Sequence, residues 1–391
     1  MRNMRKRLCG ESNCWQVLTS RGRQHGFTLT ELLVALVLGA FLISGVLSVF
    51  LGGLQTFRMT DSLSRIQESG RFALEIMRRD LRQAGYYGCL QSLAPEVPRA
   101  AGPLNSGLIR NTLNPAPSGG VDSIAYEFDF SNDILGYEST AAEADSVGSS
   151  SDWSILSTSF ASPAGVTATG ELPATGLIVN PLQGRDIIVV SRAMGVGVAV
   201  NAHATSAAAL ELDTADHGFE ASDVALVTDC NSAAVFQITG VSGVDLSHDA
   251  SGASPGNYTA ELGRSFSGAE VMEVSRIAYY VANSPVTGRP ALYRNNEEIA
   301  ENVERLQLRY GEDISNDRRV DEYREADAVD VWDNVLAVRI DLLISSGEED
   351  NLTEAPASVA MSGEDPAVEL AADNRLYRAF SATVGIRNRV P

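Results

Sequence analysis

The feature that most restricts this chain is a run of 26 residues, Leu32 to Phe57, without a single charged side chain. About 20 apolar residues suffice to cross the hydrocarbon core of a bilayer as a helix, so the run reads as a membrane-spanning segment. One acid, Glu31, stands at its start, and a basic segment precedes that. Six basic residues against Glu11 alone give residues 1–26 a charge of +5, leaving −25 for the rest of a chain whose total is −20. The positive-inside rule then puts residues 1–26 in the cytoplasm and everything after about residue 57 outside. The acidity argues against nucleic acid as a partner, because phosphate binding depends on Lys and Arg. A cleaved secretory signal fits poorly: its apolar region is about 7–15 residues and ends in a small-residue site, which "VFLGGLQTF" does not supply.

Glu31 is thus the residue to explain, since a charged side chain near a bilayer centre costs on the order of 2.5–3.5 kcal/mol. Gly26, just before it, lets an enzyme approach the backbone without a Cβ in the way. Phe27 would supply an apolar terminus whose amine becomes a cation once the chain is cut there. Glu31 lies one helical turn on, where a carboxylate meets the helix dipole favourably. The stretch "RGRQHGFTLTELLVALVL" (21–38) resembles the class III signal of type IV pilins and type II secretion pseudopilins. The resemblance implies a leader ending at Gly26, cleavage by a prepilin peptidase, and N-methylation of Phe27. It implies that Glu31, fifth in the mature chain, aligns with the terminal amine of a neighbouring subunit during assembly. The leader, at 26 residues, is longer than those common in major pilins.

Beyond the apolar run, Met59, Leu63, Ile66, Gly70, Ala73, Met77, Leu81 and Ala84 recur at steps of three and four, predicting an amphipathic continuation of the same helix. Arg58, Arg65, Glu68, Arg71, Glu75, Arg78, Arg79 and Asp80 are expected mostly on its other faces, and Gly85 as its C-terminal cap. A helix from Phe27 to Ala84 would be about 87 Å long. The expected organisation is a leader over 1–26, a membrane or filament-core helix over 27–57, an amphipathic spine over 58–88 and a β-rich head over 89–391. Strands are expected at 123–130, 186–194, 224–230, 234–241, 274–282, 291–294, 335–345 and 377–387. Residues 299–311 read as a short helix running into a strand, and 131–181 and 346–374 as long loops. The expected fold class is therefore α+β: a long N-terminal helix packed on a largely antiparallel sheet, as in type IV pilins. "LRQAGYYGC", "LVTDCNSAAVFQITG", "YYVANSPVTGRPALYRNN", "VERLQLRYGED" and "WDNVLAVRIDLLISS" resemble PilW-type minor pilins in particular. Residues 91–181 match nothing of that kind and are expected to hold what is specific to this subunit.

Removal of the leader would take Cys9 and Cys14 with it. Cys89 and Cys230 would then face an oxidising periplasm, where a pair is expected to bond; two buried thiols are the alternative. Chemistry finds little to work with. His203, His217 and His248 form no metal-ligand pattern, and His217 with Glu220 reads as a solvated turn. The acidic stretch 311–330 lacks the spacing of a calcium loop and reads as a solvated loop. No catalytic, metal or cofactor site is expected. The resemblance implies a structural minor pilin of the bacterial inner membrane and then the pilus. Its partners would be the prepilin peptidase, other minor pilins, the major pilin, the assembly platform and a tip adhesin. A minor pseudopilin of type II secretion, and a signal-anchored periplasmic enzyme or binding protein, are the alternatives.

Overall fold

The computed structural model describes residues 27–90, 109–114, 126–128, 130, 132–142, 146–155, 172, 176–251, 255–347, 358–361, 368–369 and 373–389. The chain divides into two compact units, Met1–Phe57 and Arg58–Pro391. A single helix, α1 (Leu29–Arg82), runs through the boundary between them. In the first unit every apolar side chain of α1 is exposed, and this is the one helix among the described residues long and apolar enough to cross a membrane.

In the second unit α1 buries one stripe: Ser62, Ile66, Gly70, Ala73, Met77, Asp80 and Leu81. The helix ends at Arg82, two residues before the expected limit, and the turn that follows has Gly85 at φ +69°. The described strands begin with β1 (Ile109–Asn111), β2 (Ile134–Ser139), β3 (Trp153–Ser154), β4 (Ile187–Ala202), β5 (Ala209–Leu212) and β6 (Val224–Thr228). Next come β7 (Ala233–Gln237), β8 (Gly240–Ser242), β9 (Asp245–Ser247), β10 (Glu270–Asn283), β11 (Pro290–Arg294) and β12 (Glu297–Glu301). Then follow β13 (Val303–Glu312), β14 (Glu322–Arg324), β15 (Val335–Ser345), β16 (Ser358–Val359), β17 (Val368–Glu369) and β18 (Tyr377–Gly385).

These strands make a large sheet along β1-β7-β6-β10-β4-β5-β9-β8, with β2, β3, β11 and β12 attached, and a smaller sheet β14-β13-β15-β18. Pairing is antiparallel except between β1 and β7. The main core joins Ile66, Ala73, Met77 and Leu81 of α1 to both sheets, through Val189 of β4, Tyr279 of β10, Leu306 of β13, Ile340 of β15 and Val384 of β18. A second core, around Leu210, Phe236 and Leu246, fills the region of β5, β7 and β9. Gly70 sets how closely α1 meets β18, because a Cβ there would stand 2.6 Å from the Phe380 ring.

Three expectations need correction. Residues 126–128 form a 3-10 turn, and the strand lies downstream at β2, where Ile134 to Tyr137 pair with β4. The helix expected within 299–311 is absent; β12 pairs with β11 and β13 with β15, since alternate residues of "VERLQLRYG" are buried, a period of two. The supposed loops 131–181 and 346–374 contain β2, β3, β16 and β17. Residues 91–108, 115–125 and all of 156–175 but Leu172 lie outside the described residues, as does most of the expected subunit-specific segment.

One site inside the head holds acids against solvation. Glu138 of β2 lies one step beyond the Tyr137–Ile187 pair, beside Asp186, whose carboxylate already accepts N–H bonds from Leu308 (2.8 Å) and Ser139 (3.2 Å). Burial first, then the charges of Asp186 and Glu325, push the Glu138 carboxyl up to about 9. A folded-state value above the unfolded one means that this group favours folding below the ordinary carboxylate range and progressively opposes it as pH rises toward 9. Glu138→Gln should therefore match the parent in thermal stability near pH 4 and exceed it at pH 8. Equal melting curves at pH 8 would contradict the burial argument. At the spine, Gly70→Ala should cost about 1–3 kcal/mol by overpacking against Phe380, despite alanine's better helix propensity. Denaturant unfolding of the detergent-solubilised chain, with Gly70→Ala/Phe380→Leu recovering part of the loss, checks this.

Candidate functional site

The start of α1 is built by its own sequence. Thr28 caps the helix: the Glu31 N–H donates to the Thr28 carbonyl at 3.1 Å and to its hydroxyl at 3.3 Å. Thr28-Leu29-Thr30-Glu31 has the spacing of a capping box, a signal available in the sequence that the family pattern obscured. Glu31 sits at the third helical position, exposed, and no cation pairs with its carboxylate among the described residues. Phe27 is 82% exposed, and Gly26 lies outside the described residues. An acceptor is thus held in fixed geometry at the head of an apolar helix, one turn from the residue expected to become the terminus.

At the other end of α1 the site residues lock the helix to the sheet. Asp80 was expected on the solvent face, and this is corrected: it is only 3% exposed. Its Oδ1 pairs with Arg192 Nη2 at 2.9 Å, and its Oδ2 with Arg294 Nε at 2.8 Å. The Tyr279 hydroxyl donates to Oδ2 at 2.6 Å, and Arg192 also donates to Gln83 at 2.7 Å. Burial, together with the adjacent Asp80 charge, raises the Tyr279 phenol far above its usual value, so it stays protonated as a donor. The sequence signal was present: Asp80 falls seven residues after Ala73 and three after Met77, on the buried stripe.

Cys89 and Cys230 are joined by a disulfide with Cα atoms 4.9 Å apart, as expected. It closes a loop of 141 residues between the end of the spine and the β6–β7 turn, where Cys230 has φ +69° and Asp229 Oδ1 accepts the N–H groups of Asn231 (3.1 Å) and Ser232 (2.8 Å). On the chain-entropy view such a link stabilises by roughly 4–5 kcal/mol. Residues 387–389 fasten the end of α1 and the turn after it. Arg387 N–H donates to the Arg82 carbonyl at 3.2 Å, Asn388 to the Ala84 carbonyl at 3.1 Å, and Arg389 pairs with buried Asp133 at 3.2 Å.

The histidines divide by environment. His203 and His248 are buried with ring centroids 5.5 Å apart, and burial, then the neighbouring His203, lowers His248 to about 4. His217 lies in a loop, where its Nδ1 accepts the Phe219 N–H at 3.1 Å. Among the described residues no group of three or more His, Cys, Asp or Glu is placed to hold a metal. The acidic stretch 311–330 is more ordered than the solvated loop expected. It holds β14 and a 3-10 turn, and its acids bond their own backbone: Asp321 accepts Ile314 and Ser315 N–H groups at 2.8 Å, and Asp313 accepts that of Arg318 at 2.7 Å.

Comparison with known families gives two matches. Residues 278–388 match the family of type IV pilus-assembly protein W, and residues 21–47 match the prokaryotic N-terminal methylation motif. A search of curated proteins found no match. The two matches are those of a PilW-type pilin of type IV pili. With the apolar α1 they fit a membrane-anchored pilin that works with other pilins and the pilus machinery.

Because Asp80 neutralises two arginines at once, Asp80→Ala should cost about 3–5 kcal/mol, the range for removing one partner of a buried ion pair. Asp80→Asn, which keeps an acceptor for Tyr279, should still lose much of this. Denaturant unfolding of the full chain in detergent measures both, and a loss below 1 kcal/mol for the alanine variant would contradict the burial.

Proposed function

We propose that the chain is a structural minor pilin, not an enzyme, and that a prepilin peptidase cuts it after Gly26 and methylates Phe27. Before assembly it rests in the inner membrane with residues 1–26 cytoplasmic and the head periplasmic. It then joins other minor pilins in an initiation or tip complex, with the major pilin, the assembly platform and a tip adhesin as partners, and so supports pilus-dependent motility or adhesion. The observation that carries this reading is Glu31, fixed by the Thr28 cap in the first turn of a helix with no other charge before Arg58, and lacking a cation among the described residues. Such an acid gains most from an amine brought by another subunit into a medium that screens little. The match over 278–388 favours the pilus over a secretion pseudopilin.

The test is genetic. Deleting the gene in its native host should lower the yield of sheared pili at least tenfold, and the wild-type gene should restore it. Glu31→Ala should be cut normally yet fail to restore pili. Undiminished piliation in the deletion strain, or full rescue by Glu31→Ala, would contradict the proposal, and a secretion defect with normal pili would favour the pseudopilin alternative.

A further inference from the structure

Among the described residues the smaller sheet ends at β18, where Tyr377 and Ala379 share an apolar cluster with Leu343, Met361 and Val359 of β16 and no strand pairs with the far side. β18 pairs with β15 along nine residues, from Tyr377 opposite Ser345 to Gly385 opposite Ala337, without a bulge. At its two ends Ile386 N–H donates to Leu336 at 2.9 Å and Ser346 N–H donates to Leu376 at 2.8 Å. Antiparallel ladders alternate, so these bonds assign the even-numbered residues to β15 and turn the N–H and C=O groups of Tyr377, Ala379, Ser381, Thr383 and Gly385 outward. Those outward groups have no partner among the described residues, and Ser381, Thr383 and Gly385 are exposed. Of the usual guards of an edge β18 has only one charge, Arg378, and it holds no proline, no lysine and no bulge.

The surroundings of this edge are cationic in an acidic chain. Residues 374–389 contain Arg375, Arg378, Arg387 and Arg389 and no acid, while the whole chain carries −20. Arg375 and Arg389 are consumed in ion pairs with Glu304 and Asp133, whereas among the described residues no acid pairs with Arg378, which lies over the Phe380 ring at one end of the edge, or with Arg387 past the other. β18 also follows α1, from the Phe380 contact at Gly70 to the Arg387 bond at Arg82, and that length of helix exposes Arg71, Arg78, Arg79 and Arg82 against Glu75 alone.

We propose that β18 receives an acidic β-strand from a different pilin subunit, which extends the β14-β13-β15-β18 sheet by one strand. Backbone bonds to the five outward residues give the affinity, and Arg378 and Arg387 select an acidic strand over a second copy of this edge, which would bring like charges together. The proposal rests on the pilin reading above and names the contact by which the subunit joins its neighbours.

The experiment uses the full chain in its native host, with a photo-crosslinking benzoylphenylalanine at Thr383. Expected is an adduct to another pilin, mapped to an acidic extended segment. Thr383→Pro deletes an outward N–H and spares the ladder to β15, so it should reduce co-purification of that pilin at least tenfold with the disulfide and melting temperature retained. Ala382→Pro, which breaks an inward bond, should instead lower the melting temperature. Arg378→Glu/Arg387→Glu should lower the adduct yield several-fold. No adduct, an adduct only to a second copy, or normal co-purification by a folded Thr383→Pro would overturn the proposal. N-terminal peptide mapping of the same samples separates the two failures: a terminus at Phe27 without an adduct sinks the edge contact alone, and an uncut chain sinks the pilin reading beneath it.

Discussion

The head is organised around one buried carboxylate. Asp80 leaves solvent on the stripe that α1 packs inward, and it is tolerable there only because Arg192 from β4, Arg294 from β11 and Tyr279 from β10 converge on its two oxygens. A buried pair of this kind is poor evidence of net stability, since desolvation offsets much of the attraction. Its value is registration. A hydrophobic stripe can slide or rotate by a residue at little cost, whereas a carboxylate with three directional partners fixes helix height and rotation together. Gly70 against Phe380 and the Cys89–Cys230 bridge then operate on a spine whose position is already set.

That division explains why one continuous helix can serve two environments. From Leu32 to Phe57 it carries no charged side chain, and a Cβ added at Gly39, Gly45, Gly52 or Gly53 would meet nothing within 4 Å. From Arg58 it is committed to the head on one side and to arginine-rich exposure on the other. The two polar devices of the helix are opposites in use: Asp80 is satisfied within its own chain, whereas Glu31 has no internal cation among the described residues. On the proposed function that contrast matters, because a group already paired has little to gain from a neighbour.

Much of this could be read before any coordinates. The apolar run, the Gly26-Phe27-Glu31 spacing and the strands at 335–345 and 377–387, the last ending two residues earlier at Gly385, followed from composition, motif and period-two alternation, and the cysteine pair followed from compartment. Three things differ from the sequence expectation. Residues 299–311 present glutamates and arginines at helical spacing, and only pairing with β11 and β15 shows that burial alternates. β2 was hidden because "ILGYES" contains a glycine, required where the Tyr310 hydroxyl presses on Gly136. Asp80 was assigned to solvent by its charge although its position placed it inside; residue type outweighed phase, and the compensating arginines lie 112 and 214 residues away.

On the proposed function the first residue of the working protein is Phe27, so that Glu31 faces an amine that only cleavage creates. Mass spectrometry of the N-terminal peptide, on protein purified from native membranes with and without the prepilin peptidase, tests it directly. The account predicts a peptide beginning at N-methylated Phe27 when the peptidase is present and the uncut leader when it is absent. The same uncut terminus in both strains would contradict it, and would leave Glu31 as an acid at the membrane edge.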